Sequence, residues 1–132
     1  MDDELRATID KVALTEVMTR YCFAVDMHDW ALLDTVFTPE CEALYILPEG
    51  MDDVPLAGRD AIRGWLQSVV PQLGPPHPRH AMTNHRHDVD GDRATTRTYL
   101  ASGSGTYTAE MVRTPDGWRA TKWEMRNWPR PA

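Results

Sequence analysis

Three side chains in this sequence have the types and spacing for proton-transfer chemistry: Tyr21, Asp26 and His80. An imidazole takes up and releases a proton near neutral pH, a carboxylate beside it orients the ring, and a phenol donates to developing negative charge. Tyr21 and Asp26 fall at the end of an apolar helical pattern. There Asp26-Met27-His28 breaks the helix, and the turn lets the two side chains converge. His80 opens a strand-like segment whose alternation sends His80, Met82 and Asn84 to one face and Ala81, Thr83, His85 and His87 to the other. With helices on a single face of the sheet, the inward set shares a cavity with the first helix, which allows an Asp26 to His80 contact. Taken singly, a core tyrosine, a helix-end aspartate and a satisfied core histidine are ordinary features. Their conjunction marks the site.

Other constellations carry less chemistry. His85-x-His87 has the spacing of metal ligands on a strand, but a third protein ligand is not identifiable, so no metal is expected. Asp88-Val89-Asp90-Gly91-Asp92 resembles the start of a calcium loop. Glycine stands at its fourth position and Tyr99 at its twelfth, so it reads as an acidic hairpin. Trp118, Trp123 and Trp128 could cage a ligand, but tryptophans near a terminal strand more often complete a core. No nucleophile elbow, phosphate loop or dinucleotide fingerprint is present, and no cofactor is expected.

The elements that must position these residues follow from periodicity. Ile9, Val12, Ala13, Val17, Tyr21 and Ala24 recur at three and four residues, which predicts a long amphipathic helix over Leu5 to Val25. Asp29 caps a second helix, in which Trp30, Leu33 and Phe37 share a face until Pro39. Cys41 to Leu47 reads as a strand closed by Pro48-Glu49-Gly50, and Asp60 to Val70 as a third helix before Pro71. Gly74-Pro75-Pro76-His77-Pro78 reads as a stiff loop. Four strands follow, roughly Arg79 to Asp88, Ala94 to Ser102, Tyr107 to Arg113 and Trp118 to Arg126, with hairpin turns at Asp90-Gly91 and Asp116-Gly117. The expected fold is α+β: a cone in which about three N-terminal helices pack on a curved, mostly antiparallel sheet and enclose a pocket.

Bulk properties bound the function. The 132 residues fit one domain, 1–132, and 42% hydrophobic with 26% charged residues is a globular composition. A net charge of -6 with scattered arginines excludes nucleic acid as the expected partner. No apolar run approaches the ~18 residues of a membrane span, and the acidic start is unlike a signal peptide, so a cytoplasmic address is expected. Cys22 and Cys41 read as buried thiols.

In order and spacing, several residues resemble the SnoaL-like group of the nuclear transport factor 2-like superfamily. They are Arg20-Tyr21, Ala24-Val25-Asp26, Asp29-Trp30, Leu33, Phe37-Thr38, Gly58-Arg59, Arg79-His80, Asn84, Asp90-Gly91-Asp92 with Ala94, Tyr99 and Gly117-Trp118-Arg119. The resemblance covers nearly the whole chain. It implies a pocket enzyme similar to scytalone dehydratase and bile acid 7α-dehydratase, with Asp26 and His80 as the acid–base pair and Tyr21 matching the tyrosine of the bile acid enzyme. A second histidine of scytalone dehydratase falls near Gly105 here, and an acidic residue of the bile acid enzyme near Ser102. An arginine on the last strand aligns with Asn127, or with Arg126 after a one-residue shift. Arg126, Asn84, Trp65 and Tyr99 are the expected substrate contacts.

The leading reading is a cofactor-independent lyase of dehydratase type, taking a small hydrophobic or polycyclic substrate and working as a homodimer joined through the outer sheet face. A polyketide cyclase, isomerase or epoxide hydrolase on the same fold is the alternative, as is a non-catalytic ligand-binding or assembly subunit.

Overall fold

The structure, a computed structural model, describes residues 2–73 and 79–128. The proline-rich segment expected to form a loop, 74–78, lies outside the described residues.

Helix α1 spans Asp3–Met27. The Asp2 carboxylate accepts from the Leu5 amide at 2.8 Å, and Asp3 and Glu4 place negative charge on the first turn, where free N–H groups favour it. Leu14, Val17, Met18, Tyr21 and Val25 form the buried stripe. The helix closes at His28, whose φ of 55° is left-handed and whose N–H turns back to Ala24 and Val25 carbonyls. The helix therefore runs past Asp26 instead of breaking before it, and Asp26 stands about 140° around the axis from Tyr21.

Helix α2 is shorter than its periodicity implies, covering Trp30–Leu33. The expected extension to Pro39 fails because the sheet takes the next residues. The Val36 carbonyl accepts from the Ala120 amide at 2.8 Å, and Phe37 pairs with Ala120 as the first residue of strand β1, Phe37–Ile46. Strand β2, Val54–Ala57, falls where no strand is expected, since Pro55 argues against one. It is tolerated because β2 is the sheet edge, where the missing donor is not needed. Helix α3, Arg59–Val69, follows Gly58, whose φ of 95° suits glycine.

Strands β3 (Met82–Asp90), β4 (Arg93–Leu100), β5 (Gly105–Thr114) and β6 (Gly117–Asn127) form an antiparallel meander. β1 joins the meander parallel to β6, giving one open six-stranded sheet in the order β2-β1-β6-β5-β4-β3. The helices cover one face. Among the described residues, no helix is long and apolar enough to cross a membrane.

A buried ion pair fastens α1 to the meander. Arg113 reaches both Asp10 oxygens, at 2.8 and 3.0 Å, lies over the Trp118 ring at 4.5 Å, and leaves Trp118 Nε1 to donate to Asp10 at 3.3 Å. Arg113 holds the Asp10 carboxyl below its ordinary value of 3.8, while the unfolded chain returns to that value. The unfolded chain therefore takes up the proton first, so the stabilisation is complete above roughly pH 4 and drains away as pH falls through the lower, folded value. Arg113→Ala strands a carboxylate that is 7% exposed. It should cost about 2–3 kcal/mol near neutral pH, less than a fully dry pair because Arg113 keeps some contact with water. Urea midpoints of wild type and variant should converge below pH 4.

Candidate active site

Asp26 projects from the last turn of α1 toward the segment that leads into β3. It holds that segment at two points: its Oδ2 accepts from the His80 amide at 2.9 Å, and its Oδ1 pairs with His80 Nδ1 at 2.7 Å. Both carboxylate oxygens are thereby committed to one residue. An ionised carboxylate only accepts, so in this contact Nδ1 is the donor and Nε2 is the ring nitrogen not used by Asp26. Nε2 has no partner among the described residues. The side chains of His80 and Asp26 are 19% and 10% exposed, sheltered yet reachable. A cavity of about 360 Å³ opens over them, lined by Cys22, Phe23, Asp26, Met27, Arg79 and His80. Burial, with the Asp26 charge nearby, pushes the Cys22 thiol up to about 12, which makes it wall and not nucleophile.

Tyr21 lies behind the imidazole, its ring edge-on to His80 with centroids 5.9 Å apart. Its hydroxyl is turned into the core, bonded to Tyr45 Oη at 2.7 Å and, more loosely, receiving from Tyr107 Oη at 3.4 Å. Burial foremost, and then the neighbouring tyrosines, hold the Tyr21 phenol well above its ordinary range. The cluster stays protonated. Trp123 packs against Tyr21 with centroids 4.6 Å apart and rings tilted by 43°, and its buried indole N–H approaches Tyr45 without reaching hydrogen-bond geometry. Tyr45 and Tyr107 escaped the sequence reading, although the alternation of Ala43 with Tyr45 and of Tyr107 with Ala109 places both on inward faces.

The expected substrate contacts fare unequally. Trp65 packs on Tyr45 at 4.5 Å, on the inner side of α3. Tyr99 is on the outer face, edge-on to Trp128, because β4 turns Thr98 and Leu100 inward. Arg126 is also outward, 3.4 Å from Glu124, while Asn127 follows the inward phase of Trp123 and Met125 and donates to the Ile46 carbonyl at 3.2 Å.

Asn84 is exposed, and the reason corrects the whole strand. Between Thr83, opposite Tyr99, and Arg86, opposite Arg97, β3 carries one extra residue, and Asn84 takes a left-handed φ of 59°. This bulge inverts the alternation. His85 and His87, expected outside, instead face inward with threonine partners: His85 Nδ1 to Thr98 at 2.8 Å, and His87 to Thr15 at 2.8 Å and Thr96 at 2.9 Å. Burial, helped by His85, brings His87 down to about 4, so it is neutral at neutral pH. His80 itself lies before the strand, placed by Asp26 and not by alternation. A wider open groove of about 1120 Å³ runs past His85 and His87, but among the described residues neither ring pairs with a carboxylate there. Volume alone does not select it.

A SnoaL-like domain model matches residues 6–124. The chain belongs to the SnoaL-like family. An uncharacterized Mycobacterium tuberculosis protein, Rv2910c, is 31% identical over 124 residues, covering 83% of this chain and 80% of its own. Among solved structures, a proposed aromatic ring hydroxylase from Novosphingobium aromaticivorans is 28% identical with a TM-score of 0.77, the match covering 93% of this chain and 92% of the other. An NTF2-like protein with a cystatin-like fold from the same organism is 25% identical with a TM-score of 0.76, covering 98% and 88%. A proposed scytalone dehydratase, again from Novosphingobium aromaticivorans, is 19% identical with a TM-score of 0.72, covering 92% and 86%. This SnoaL-like protein therefore has the NTF2-like fold.

Proposed function

We propose that this SnoaL-like protein is a cofactor-independent lyase of dehydratase type, acting on a small hydrophobic or polycyclic substrate with a carbonyl beside the C–H bond to be broken. One observation supports the reading: Asp26 grips both the amide and the ring Nδ1 of His80, and the two residues line one cavity. Nε2 takes the proton α to the carbonyl, and the electron pair moves onto the carbonyl oxygen as an enolate. The pair then returns to form the C=C bond as the β C–O bond breaks. His80 gives its proton to the departing hydroxyl, and water leaves. Tyr21 serves as donor to the enolate oxygen only on turning its hydroxyl from Tyr45 toward the substrate, because it is fully buried and does not line the cavity. An aldol-type cyclase would use the same pair to make the enolate and then a different electrophile. From the resemblance alone we also propose a homodimer joined by the outer sheet face and a cytoplasmic address.

The test is elimination from a panel of β-hydroxycarbonyl compounds, read as the rising ultraviolet absorbance of the conjugated product. His80→Ala should lower kcat by about 10²–10⁴ in a protein that still folds. Tyr21→Phe should lower kcat with little change in KM, as befits a donor used in the transition state. Turnover by folded His80→Ala at the wild-type rate sinks the assignment.

A further inference from the structure

The rim of the cavity holds a cation that the proton transfer does not use. Arg79 donates from Nη1 to the Asp26 carbonyl at 2.9 Å, supplying the end of α1 with the positive charge that its own last turn lacks. That explains one of five guanidinium N–H donors. Among the described residues the rest do not reach the Asp26 carboxylate, whose two oxygens each accept from His80. Among the described residues Arg79 has no ion-pair partner, and it is exposed at the mouth in a chain of net charge -6. Phe23 and Met27, one turn apart on α1 and 61% and 66% exposed, line the same cavity. Exposed large apolar side chains next to a reactive pair cost solvation unless a ligand covers them.

We infer that Arg79 anchors a carboxylate on the substrate, whose apolar body lies on Phe23 and Met27, so that the reacting carbon comes to His80 Nε2. The inference rests on the proposed proton transfer only for the word substrate; the binding preference stands apart from it. Arginine suits the task because its planar fork matches a carboxylate at two points, whereas an uncharged isostere gains neither the second acceptor nor the charge. The cavity volume, about 360 Å³, is at the small end of ligand sites and favours a compact acid.

The experiment is an NMR titration of the full chain with 3-phenylpropanoate and with its neutral amide, 3-phenylpropanamide, following Met27 methyl and Phe23 ring signals. Wild type should bind the acid at least about tenfold tighter than the amide. Arg79→Gln should bring the two within about twofold, Arg79→Lys should keep part of the preference, and His80→Gln should keep all of it. Equal affinity of wild type for acid and amide, an undiminished preference in Arg79→Gln, or no movement of the Met27 and Phe23 signals with either probe overturns the inference. Loss of turnover in His80→Gln with its acid preference intact separates the two readings. Turnover in His80→Gln with that preference intact would defeat the proton-transfer reading alone.

Discussion

Asp26→Asn should lower kcat by about three orders of magnitude, an effect as large as removing the imidazole itself. An asparagine has one acceptor oxygen where two are in use. If its oxygen faces His80 Nδ1, its NH₂ meets the His80 amide N–H; if it faces the amide, its NH₂ meets the ring. In the second case the imidazole changes tautomer, putting the proton on Nε2, where the base should be. In the first, the backbone of the segment is pushed off the helix end. Both outcomes misplace the proton acceptor. The measurement is kcat for Asp26→Asn, His80→Ala and the double variant on one screened substrate. Because the residues act as a unit, the double variant should lose little more than either single one. Losses that multiply across the double variant would mean the two residues work separately. Circular dichroism should show all three folded, since the helices and sheet do not depend on this contact.

The second large effect is on stability. Trp123→Ala should cost about 3–5 kcal/mol, a large share of the 5–15 kcal/mol that holds a domain of this kind together. Trp123 is almost completely buried and lies at 4.6 Å from Tyr21, 5.2 Å from Phe37 and 5.4 Å from Tyr107. Removing it opens a cavity beside the ring that backs His80. Trp123→Phe retains much of the volume and removes an indole N–H that makes no hydrogen bond, so it should cost far less. Denaturant midpoints of the two variants should differ by more than the midpoint of Trp123→Phe differs from wild type.

The long first helix, the third helix and the four late strands are legible in the sequence from their periods, although Ile9 and Val12 of the first helix's expected stripe are exposed and Leu14 and Met18 are buried in their place. The shortened second helix is not, since Phe37 satisfies the spacing of Trp30 and Leu33 while long-range pairing with Ala120 draws it into the sheet. β2 is hidden by Pro55, acceptable only at an edge that sequence does not reveal. The juxtaposition of Asp26 and His80 is foreseen for partly wrong reasons: the helix does not break before Asp26, and His80 is not in the strand. Local alternation also misassigns His85, His87 and Asn84, and Tyr99, expected at the substrate, lies on the outer face. For β3 the cause is a one-residue bulge signalled only by an asparagine that accepts positive φ. Tyr45 and Tyr107 are inward by alternation, but their meeting at Tyr21 needs the sheet order, which no local pattern encodes.

The parallel neighbours β1 and β6 set the order in which the chain can mature. Leu44 lies opposite Glu124 and Tyr45 opposite Met125, so the middle of the sheet joins residues separated by most of the polypeptide. During synthesis β1 emerges early with an open edge, and it must wait for the final strand before that edge is covered. Closing so long a loop is slow, and an unpaired edge is an invitation to aggregate. The meander β3 to β6 can zip locally in the meantime, making the arrival of β6 beside β1 the step that at once seals the core and brings Trp123 under Tyr21. A nascent chain that stalls before Gly117 has neither.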